Sequence, residues 1–345
     1  MQMNKLYFSS DYMEGAHPKL MERLMETNLE KTAGYGTDQY SEAAREKIRE
    51  ACNAPDGDVF LLAGGTQTNR TVIDALLMPY QGVIAATSGH VSGHEAGAIE
   101  QGGHKVLQIP HINGKVSASD VENCILSYLE DDNRDHLVMP GMLYISQPTE
   151  YGTLYSLEEL KALSSLCGKH QVLLYVDGAR LAYGLAAPEN DVTLPDLAKY
   201  CDAFYIGGTK CGALFGEAVV FPKKNRVPHF FSVVKQHGAL VAKGRITGIM
   251  FETLFTDDLY IKIGENGIKC ANRLREALKE KGYQMLFDSP TNQIFVEMTQ
   301  EQRRKLEEQV VMGFTEKLSG DKVIMRFCTS WATTEEEVEQ LIKLL

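Results

Sequence analysis

The feature that most constrains the fold is a regular alternation of strand-like and helix-like segments along the first two thirds of the chain. Three segments each combine an apolar run, a glycine-containing loop and a helical pattern: DVFLLAGGTQTNRTVIDALLM, GVIAATSGHVSGHEAGAIEQGG and DHLVMPGMLYISQPTEYGTLYSLEELKALSSLCGKH. A fourth, QVLLYVDGARLAYGL, is an apolar run followed by a bend. Near-continuous apolar strands that alternate with helices are typical of a mostly parallel sheet covered on both faces.

The pattern changes after about Phe251. The segment IKIGENGIKCANRLREALKEKGYQM predicts an amphipathic helix, and NQIFVEMT, a helix, KVIMRFCTS and the closing helix TTEEEVEQLIKLL follow it. A chain of 345 residues is also too long for one simple core. We therefore predict a large α/β domain at residues 1–250, which includes the N-terminal segment, and a small C-terminal α+β domain at residues 251–345.

Charge and hydropathy exclude several classes of partner. The net charge of −11 argues against nucleic acid and against an anionic membrane, although an anionic small ligand stays possible where basic residues converge. No apolar run approaches the roughly 20 residues that span a bilayer. The start MQMNKLYFSSDYMEG lacks the apolar core of a signal peptide, so we expect a cytoplasmic location. The seven cysteines are scattered without a CxxC pair, which argues against a disulfide framework and a zinc site.

Chemistry-bearing side chains follow the predicted strands at four places. In AGGTQTNRTV, the glycines Gly64 and Gly65 let the backbone approach a ligand, and Thr66 stands where a helix would begin. Free N–H groups and the helix dipole favour an anion at such a place. A plain helix N-cap by Thr66 is the alternative.

The next two places carry a carboxylate and a lysine. Asp177 ends the apolar run LLYVD, and Arg180 follows it in YVDGARL, so a structural ion pair between the two is one reading. Lys210 stands in the glycine-rich bend of AFYIGGTKCGALFGEAVVF. A desolvated lysine has a lowered pKa and becomes a usable nucleophile, whereas a lysine that reaches solvent from a strand end is the alternative.

The fourth place is TSGHVSGHEAGA, in which His90 follows an apolar run. His94 stands four residues later, a spacing that suits a metal on a helix. No nearby carboxylate or cysteine completes a convincing ligand set, so we predict no metal. His90 is expected at the edge of a ligand or in a structural role.

Taken together, the four places indicate one cofactor. Pyridoxal 5′-phosphate needs an anion site for its phosphate, a carboxylate that keeps its ring nitrogen protonated, and a lysine for the Schiff base. The predicted phosphate loop, Asp177 and Lys210 are the residue types that these three needs require.

The sequence resembles the threonine aldolase and β-eliminating lyase family of fold-type I pyridoxal-phosphate enzymes over nearly the whole chain. YVDGARL and GGTKCGALFGEAVVF carry the resemblance most specifically; SGHVSGHEAGAIEQGG, GGTQTNRTVIDALL, GYGTD, AKGRITGI and MRFCTSW support it. The resemblance implies a fold-type I transferase-like fold, with a large domain built on a mostly parallel seven-stranded sheet and a small C-terminal α+β domain. It also implies a homodimer or homotetramer with active sites at the subunit interface.

The resemblance also implies a role for each matching residue. Lys210 would bind the cofactor covalently, Asp177 its ring nitrogen, and His90 its ring face. Gly65, Thr66 and Thr209 would hold the phosphate. The substrate α-carboxylate would be bound by Arg180, Arg326 and Ser10, whereas Tyr35 and Arg245 match active-site positions less securely, Arg245 from a neighbouring subunit.

One loop departs from the family pattern. Where aldolases carry Asn-Thr-His after the LYIS-like strand, this chain has Pro148, Thr149 and Glu150, and Ser330 replaces a further family histidine. Glu150 would contact the substrate hydroxyl by accepting a proton or a hydrogen bond. The implied activity is cleavage of L-threonine, L-allo-threonine and similar 3-hydroxy amino acids to glycine and an aldehyde. β-Elimination, transamination, a non-catalytic amino-acid-binding protein and a nucleotide-binding α/β protein are the alternatives.

Overall fold

The computed structural model of the protein describes residues 5–345. The strands are β1 Leu6–Phe8, β2 Asp58–Leu62, β3 Gln81–Ala86, β4 Val106–Ile109, β5 Met139–Ser146, β6 Leu173–Asp177, β7 Ala203–Gly207, β8 Glu217–Phe221, β9 Gln284–Met285, β10 Gln293–Thr299, β11 Val310–Lys317 and β12 Lys322–Cys328. The helices are α1 Pro18–Thr27, α2 Gln39–Ala51, α3 Gly65–Leu76, α4 His90–Gly93, α5 Ala98–Gln101, α6 Ala118–Leu129, α7 Leu157–His170, α8 Leu181–Ala186, α9 Leu194–Tyr200, α10 Phe230–Gln236, α11 Arg245–Leu254, α12 Leu259–Glu280, α13 Gln300–Glu307 and α14 Glu335–Leu344. A single 3₁₀ turn, Arg134–His136, precedes β5.

The larger sheet has seven strands in the order β2-β8-β7-β6-β5-β3-β4. Only β8 runs antiparallel to its neighbours, and the remaining pairs are parallel. All residues of β7 and β8 are buried, which explains why their sequences are apolar apart from Glu217 at the start of β8. The predicted mostly parallel α/β sheet is confirmed.

Helices cover both faces of this sheet. Successive side chains of a strand point to opposite sides, so each strand contributes to the core on either face. Tyr175 and Tyr205 lie in the core on one face, whereas Val176, Phe204 and Ile206 lie in the core on the other. Burial on both sides holds the strands rigidly, so that the loops at their carboxyl ends have fixed positions.

A second sheet has five strands in the order β1-β11-β12-β10-β9. The sequence pattern predicts two of its strands, β10 and β12, but neither β9 nor β11. The strand β1 pairs in parallel with β11, so the segment Leu6–Phe8 belongs to this sheet although it begins the chain. The division of the chain at residues 250 and 251 stays a prediction.

Two further findings concern composition. Within residues 5–345, every helix is too short or too polar to cross a membrane. All seven cysteines are free thiols, and six of them are buried; they are Cys52, Cys124, Cys167, Cys201, Cys211, Cys270 and Cys328, with Cys124 the partly exposed one.

Candidate active site

Loops that follow the carboxyl ends of β2, β3, β5, β6 and β7 meet in one cavity of about 370 Å³. Ligands of open α/β sheets bind at this edge. Eight of the predicted residues line the cavity: Gly65, Thr66, His90, Glu150, Asp177, Arg180, Thr209 and Lys210. Ser10, Tyr35, Arg245 and Arg326 lie outside the lining.

Lys210 lies in the bend between β7 and β8. Its backbone carbonyl accepts a hydrogen bond of 2.8 Å from the Tyr183 hydroxyl, and its Nζ lies 6.0 Å from the centre of the Tyr12 ring. Burial of the amine, and then the positive charge of Arg180, lower the pKa of Lys210. A larger share of the amine is therefore neutral and nucleophilic at a given pH.

The glycines around Lys210 are required by close backbone packing. A Cβ atom at Gly208 would lie 2.6 Å from the carbonyl oxygen of Gly216. Gly216 itself has a φ of +109°, which favours glycine, and a Cβ there would lie 2.8 Å from Thr247 Cγ2. The glycines therefore allow the bend to fold tightly against β8 and α11.

Asp177 ends β6 as a buried carboxylate with four hydrogen-bond donors. The hydroxyls of Tyr205 and Tyr144 donate to it at 2.5 Å and 2.6 Å, the Ala179 N–H at 2.9 Å, and Asn69 Nδ2 at 3.0 Å. Burial alone would raise the pKa of Asp177, but His90 and these donors outweigh burial, so the pKa lies below its ordinary value. Asp177 is therefore a fixed negative charge facing the cavity.

His90 is oriented by a second buried carboxylate. Its Nδ1 lies 2.8 Å from Oε1 of Glu95, whose side chain is fully buried. Asn69 Nδ2 bridges Glu95 and Asp177, at 2.8 Å and 3.0 Å. Because the Glu95 carboxylate accepts a hydrogen bond from Nδ1, Nε2 of His90 is left as the hydrogen-bond acceptor. Within residues 5–345, no cluster of three or more His, Cys, Asp or Glu side chains could hold a metal ion.

Glu150 lies in the loop after β5, where the sequence departs from the family pattern. Its Oε1 accepts hydrogen bonds from the Ser146 hydroxyl at 2.7 Å and from the His90 backbone N–H at 2.8 Å. Burial, together with the charge of Asp177, raises the pKa of Glu150, although Ser146 opposes the rise. The carboxyl is thus anchored through one oxygen and lines the same cavity as His90.

The start of α3 leaves backbone N–H groups without a helical partner. Gly64 is the N-cap, and no side chain caps the helix, so the N-cap role suggested for Thr66 is wrong. The first backbone N–H of the helix that bonds within it is that of Thr68, which donates to Gly64. The preceding N–H groups of Gly65, Thr66 and Gln67 are available to an anion. Thr68 Oγ1 is buried there without a hydrogen-bond partner.

Arg180 does not pair with Asp177. Its Nε and Nη2 donate to the two carboxylate oxygens of Asp11, at 2.6 Å and 3.0 Å, across 169 residues of sequence. Burial would raise the pKa of Asp11, but Arg180 and Lys210 lower it to about 2. The structural Asp177–Arg180 pair considered from the sequence is therefore wrong.

Arg326 lies on β12, beside the N-terminal segment. Its Nη2 donates to the Ser9 carbonyl at 2.8 Å and its Nη1 to Gln293 at 3.1 Å, whereas its Nε is buried without a partner. Ser10, the residue after Ser9, is buried as well. A guanidinium with one free buried N–H retains capacity to bind a carboxylate.

Tyr35 and Arg245 lie apart from the cavity of their own chain. Arg245 donates to the carbonyl oxygens of Glu30 at 2.6 Å and Thr27 at 2.5 Å. Tyr35 is exposed, and Lys235 Nζ lies 4.5 Å from the centre of its ring. Neither side chain contributes to the site that this chain encloses by itself.

The polar residues around the cavity that sequence reasoning missed include Asn69, Glu95, Tyr144, Tyr205 and Glu217. The tyrosines are typical of apolar strands, and only their hydroxyl partners distinguish them. Glu217 carries a usable signal, since it is a carboxylate next to the wholly apolar run AVVF. Its partners are described below.

A larger open cleft of about 880 Å³ lies elsewhere, lined by residues of the loops before α6 and α7 and by α12. Its charged groups are mixed: Lys115, Arg275 and Lys279 face Asp120, Glu159, Glu189, Glu276 and Asp288. None of the predicted site residues lines it, so size alone does not identify the functional cavity.

The chain is similar to known proteins over most of its length. The family model described as beta-eliminating lyase matches residues 8–301. The low specificity L-threonine aldolase of Pseudomonas aeruginosa is 28% identical over 339 residues, which cover 97% of this chain and 96% of that protein. A solved structure of Leishmania major threonine aldolase has a TM-score of 0.95 and 39% identity, and the match covers 98% of each chain. Thermus thermophilus aspartate aminotransferase with maleate, at 17% identity and a TM-score of 0.73, covers 99% of this chain and 91% of its own and shows the fold alone.

Proposed function

Because the chain belongs to the beta-eliminating lyase family, we propose that it cleaves L-threonine, L-allo-threonine and similar 3-hydroxy amino acids to glycine and an aldehyde. The cofactor is pyridoxal 5′-phosphate. The observation that carries the proposal is one cavity that contains the fixed carboxylate of Asp177, the amine of Lys210 and the uncapped start of α3. Similarity to threonine aldolases over nearly the full chain supports it.

The residues present fit the cofactor. Three backbone N–H groups and the orphaned Thr68 hydroxyl at the start of α3 would hold the phosphate, Asp177 the protonated ring nitrogen, and Lys210 the aldehyde carbon. When bound, the cofactor supplies an electron sink for the carbanion that forms as the Cα–Cβ bond breaks. The remaining work of catalysis falls to the side chains of this chain.

Asp177 keeps its charge through the four donors that surround it. A carboxylate with a lowered pKa holds a proton on a facing nitrogen instead of taking that proton itself. The two tyrosine hydroxyls and Asn69 also fix its orientation, so no reorganisation is needed during the reaction.

The substrate carboxylate is bound by Arg326, helped by Ser10 and Arg180. The Nε of Arg326 is buried without a hydrogen-bond partner, whereas Arg180 is already in an ion pair with Asp11. Arg326 therefore supplies most of the attraction, whereas Arg180 supplies a guanidinium that Asp11 holds in place. Fixing the carboxylate determines which bond of the substrate stands in the reactive orientation.

The substrate hydroxyl gives its proton to His90, directly or through a water molecule. Glu95 holds Nδ1 of His90, so Nε2 accepts the proton and Glu95 stabilises the resulting imidazolium. Glu150 stands in place of the histidine of other aldolases and is the alternative acceptor of that proton, because a hydroxyl has only one proton to donate. It is anchored to the His90 backbone, which places the two groups together.

We also propose that the protein works as a homodimer or homotetramer in the cytoplasm. Tyr35 and Arg245 lie away from their own cavity, and the neighbouring apolar side chains Met25 and Leu29 are 70% and 92% exposed. Exposed apolar groups of this kind are typical of a surface that another chain covers.

The test is product analysis on the purified protein. Adding L-allo-threonine to protein loaded with pyridoxal 5′-phosphate should release glycine and acetaldehyde in equal amounts. Lys210→Ala should release neither, because Lys210 is the one lysine among the described residues that line the cavity. Release of 2-oxobutanoate and ammonia would assign β-elimination instead, and 2-oxo-3-hydroxybutanoate would assign transamination. Full activity of Lys210→Ala would overturn the site.

A further inference from the structure

Glu217 is a buried carboxylate between the two loops that would surround the phosphate. It begins β8 and pairs with Leu62 of β2 on one side and with Gly207 of β7 on the other. The phosphate loop, which contains Gly64 and Gly65, follows Leu62. The lysine loop, which carries Lys210, follows Gly207. The Glu217 side chain is 3% exposed and lines the cavity.

Two hydrogen bonds link the Glu217 side chain to the residues just before Lys210. Its Oε2 accepts from the Gly208 N–H at 3.0 Å, and its Oε1 accepts from the Thr209 hydroxyl at 2.7 Å. Thr209 Oγ1 in turn accepts from the Gly216 N–H at 3.0 Å. With Glu217 ionised, the one proton of the Thr209 hydroxyl is occupied and cannot serve a ligand.

Glu217 has no counter-ion within ion-pair distance among the described residues, although the charge of Lys210 reaches it. None of the ion pairs formed within residues 5–345 includes it. Burial raises the pKa of Glu217 to about 7, and the charge of Asp177 adds to the rise, whereas Thr209, Gly208 and Lys210 oppose it. Four other titratable side chains interact with Glu217. Burial raises the pKa of each, so all four are uncharged at neutral pH; they are Tyr175, Tyr205, Cys211 and Tyr260.

Protonation of Glu217 would change what Thr209 can do. A carboxyl proton on Oε1 would be donated to Thr209 Oγ1, which already accepts from Gly216. The Thr209 proton would then be free to point into the cavity. We propose that binding of the cofactor phosphate is coupled to uptake of one proton by Glu217, which releases the Thr209 hydroxyl to donate to the phosphate.

The coupling rests on the proposed function, because the ligand is the phosphate of pyridoxal 5′-phosphate. The proton comes from solvent, and no covalent bond between heavy atoms forms or breaks at Glu217. A second anion next to an ionised Glu217 is unfavourable, so the phosphate raises the affinity of Glu217 for its proton. The affinity for the cofactor therefore falls as the pH rises above about 7.

Calorimetric titration of the cofactor-free protein tests the coupling. Pyridoxal 5′-phosphate is added at pH 8 in buffers of different ionisation enthalpy, which gives the number of protons taken up. The wild-type protein should take up about one proton more than Glu217→Gln, since a carboxyl with a pKa of about 7 is roughly nine-tenths ionised at pH 8. The amide of the Glu217→Gln variant keeps an acceptor for Gly208 and donates permanently to Thr209. This variant should therefore bind the cofactor with an affinity that depends less on pH.

Pyridoxal, which lacks the phosphate, is the matched ligand. The wild-type protein and Glu217→Gln should take up equal numbers of protons when they bind pyridoxal. If the difference in proton uptake between wild type and Glu217→Gln were the same with pyridoxal as with pyridoxal 5′-phosphate, the proton would belong to the reaction at Lys210, and the inference would be overturned. Glu46→Gln, an exposed change on α2, should behave as wild type with both ligands.

Two failures are distinguishable. If pyridoxal 5′-phosphate does not bind at any pH, the proposed function fails. If it binds with the same proton uptake in wild type and Glu217→Gln, only the inference fails. Should Glu217→Gln not fold, Thr209→Val answers the same question. Loss of the hydroxyl that stabilises the ionised form raises the pKa of Glu217 further, so more of it is protonated before the cofactor binds and the uptake should fall there too.

Discussion

At the scale of single residues, the site depends on buried carboxylates whose pKa values are shifted in opposite directions. Asp177 has four donors and a lowered pKa, whereas Glu150 and Glu217 have fewer donors and raised pKa values. The difference follows from how many hydrogen bonds offset the cost of burial. Three similar side chains in one cavity can therefore serve as a fixed charge, a hydroxyl contact and a proton acceptor.

Removing one donor from Asp177 should weaken the fold. Tyr205→Phe deletes the 2.5 Å hydrogen bond to a buried charged group, which is worth roughly 1.5–3 kcal/mol. We expect the free energy of unfolding of the cofactor-free protein in urea to fall by about 2 kcal/mol. Tyr7→Phe, an exposed change on β1, is the control and should be neutral. Equal stability of Tyr205→Phe and wild type would contradict the described network.

The ion pair of Asp11 and Arg180 should make stability depend on pH. A folded-state pKa of about 2 lies below the ordinary value of 3.8, so the pair stabilises the protein above about pH 4, and this stabilisation is lost as the pH falls towards 2. The shift corresponds to roughly 2–3 kcal/mol. Urea unfolding should show Asp11→Asn to be less stable than wild type at pH 5, with a difference that shrinks towards pH 3. A difference that stays constant would contradict the pairing.

Glu150, the second group that faces the substrate hydroxyl, should contribute to the acid limb of the pH–rate profile for aldehyde release. Glu150→Gln should lower kcat/KM by about tenfold to a hundredfold, a moderate loss for a group that contacts the reacting proton, and should remove the part of the limb that Glu150 contributes. Ser146→Ala removes a donor that lowers the pKa of Glu150, so its limb should move to higher pH. An unchanged limb in both variants would exclude Glu150 as the titrating group. Glu150→His, which restores the family residue, should recover part of the rate.

At the scale of elements, the local sequence determines most of the site. The strand-loop-helix patterns placed Asp177, Lys210 and the phosphate loop at one edge of the sheet, because parallel strands all end there. The pairing of Arg180 with Asp11 could not be predicted, since 169 residues separate the two and no periodicity links them. Glu95 and Asn69 were missed for a related reason: their roles depend on partners that only the folded sheet brings near.

Glycines around the lysine loop provide a prediction at this scale. Gly216→Ala should destabilise the protein by about 1–3 kcal/mol, because a side chain at its φ of +109° is strained and would press on Thr247. Gly168→Ala is the matched control. Gly168 lies in α7 with open space around it, so alanine there should stabilise the helix by roughly 0.5–1 kcal/mol. Thermal unfolding of both variants measures the two effects. Destabilisation of the same size at both positions would contradict the claim that the positive φ of Gly216 is the cause.

At the scale of the whole molecule, the sequence predicted the main sheet better than the second one. Both faces of the main sheet are covered, so each strand is an apolar run that stands out. The strand β1 has three residues with Tyr7 exposed, and β11 has an irregular register at Phe314 and Glu316, so neither has a clear pattern. Because β1 has no clear strand pattern, the N-terminal segment is included in the large domain predicted from the sequence, whereas β1 pairs in the second sheet.

The last prediction concerns the assembly. If Arg245 completes the site of a partner subunit, Lys210→Ala and Arg245→Ala should each be inactive alone and active when mixed. In a mixed dimer, the chain with intact Lys210 receives intact Arg245 from its partner, and the other site lacks both. Random exchange of equal amounts makes half of the dimers mixed, each with one complete site, so about a quarter of wild-type activity should return in the mixture and about half in the mixed dimers alone. Co-expression of the two differently tagged variants, with aldehyde release measured on the doubly tagged fraction, gives the answer. No recovery in that fraction would place Arg245 in its own chain's site or outside catalysis, and substantial activity of Arg245→Ala alone would remove it from the site altogether.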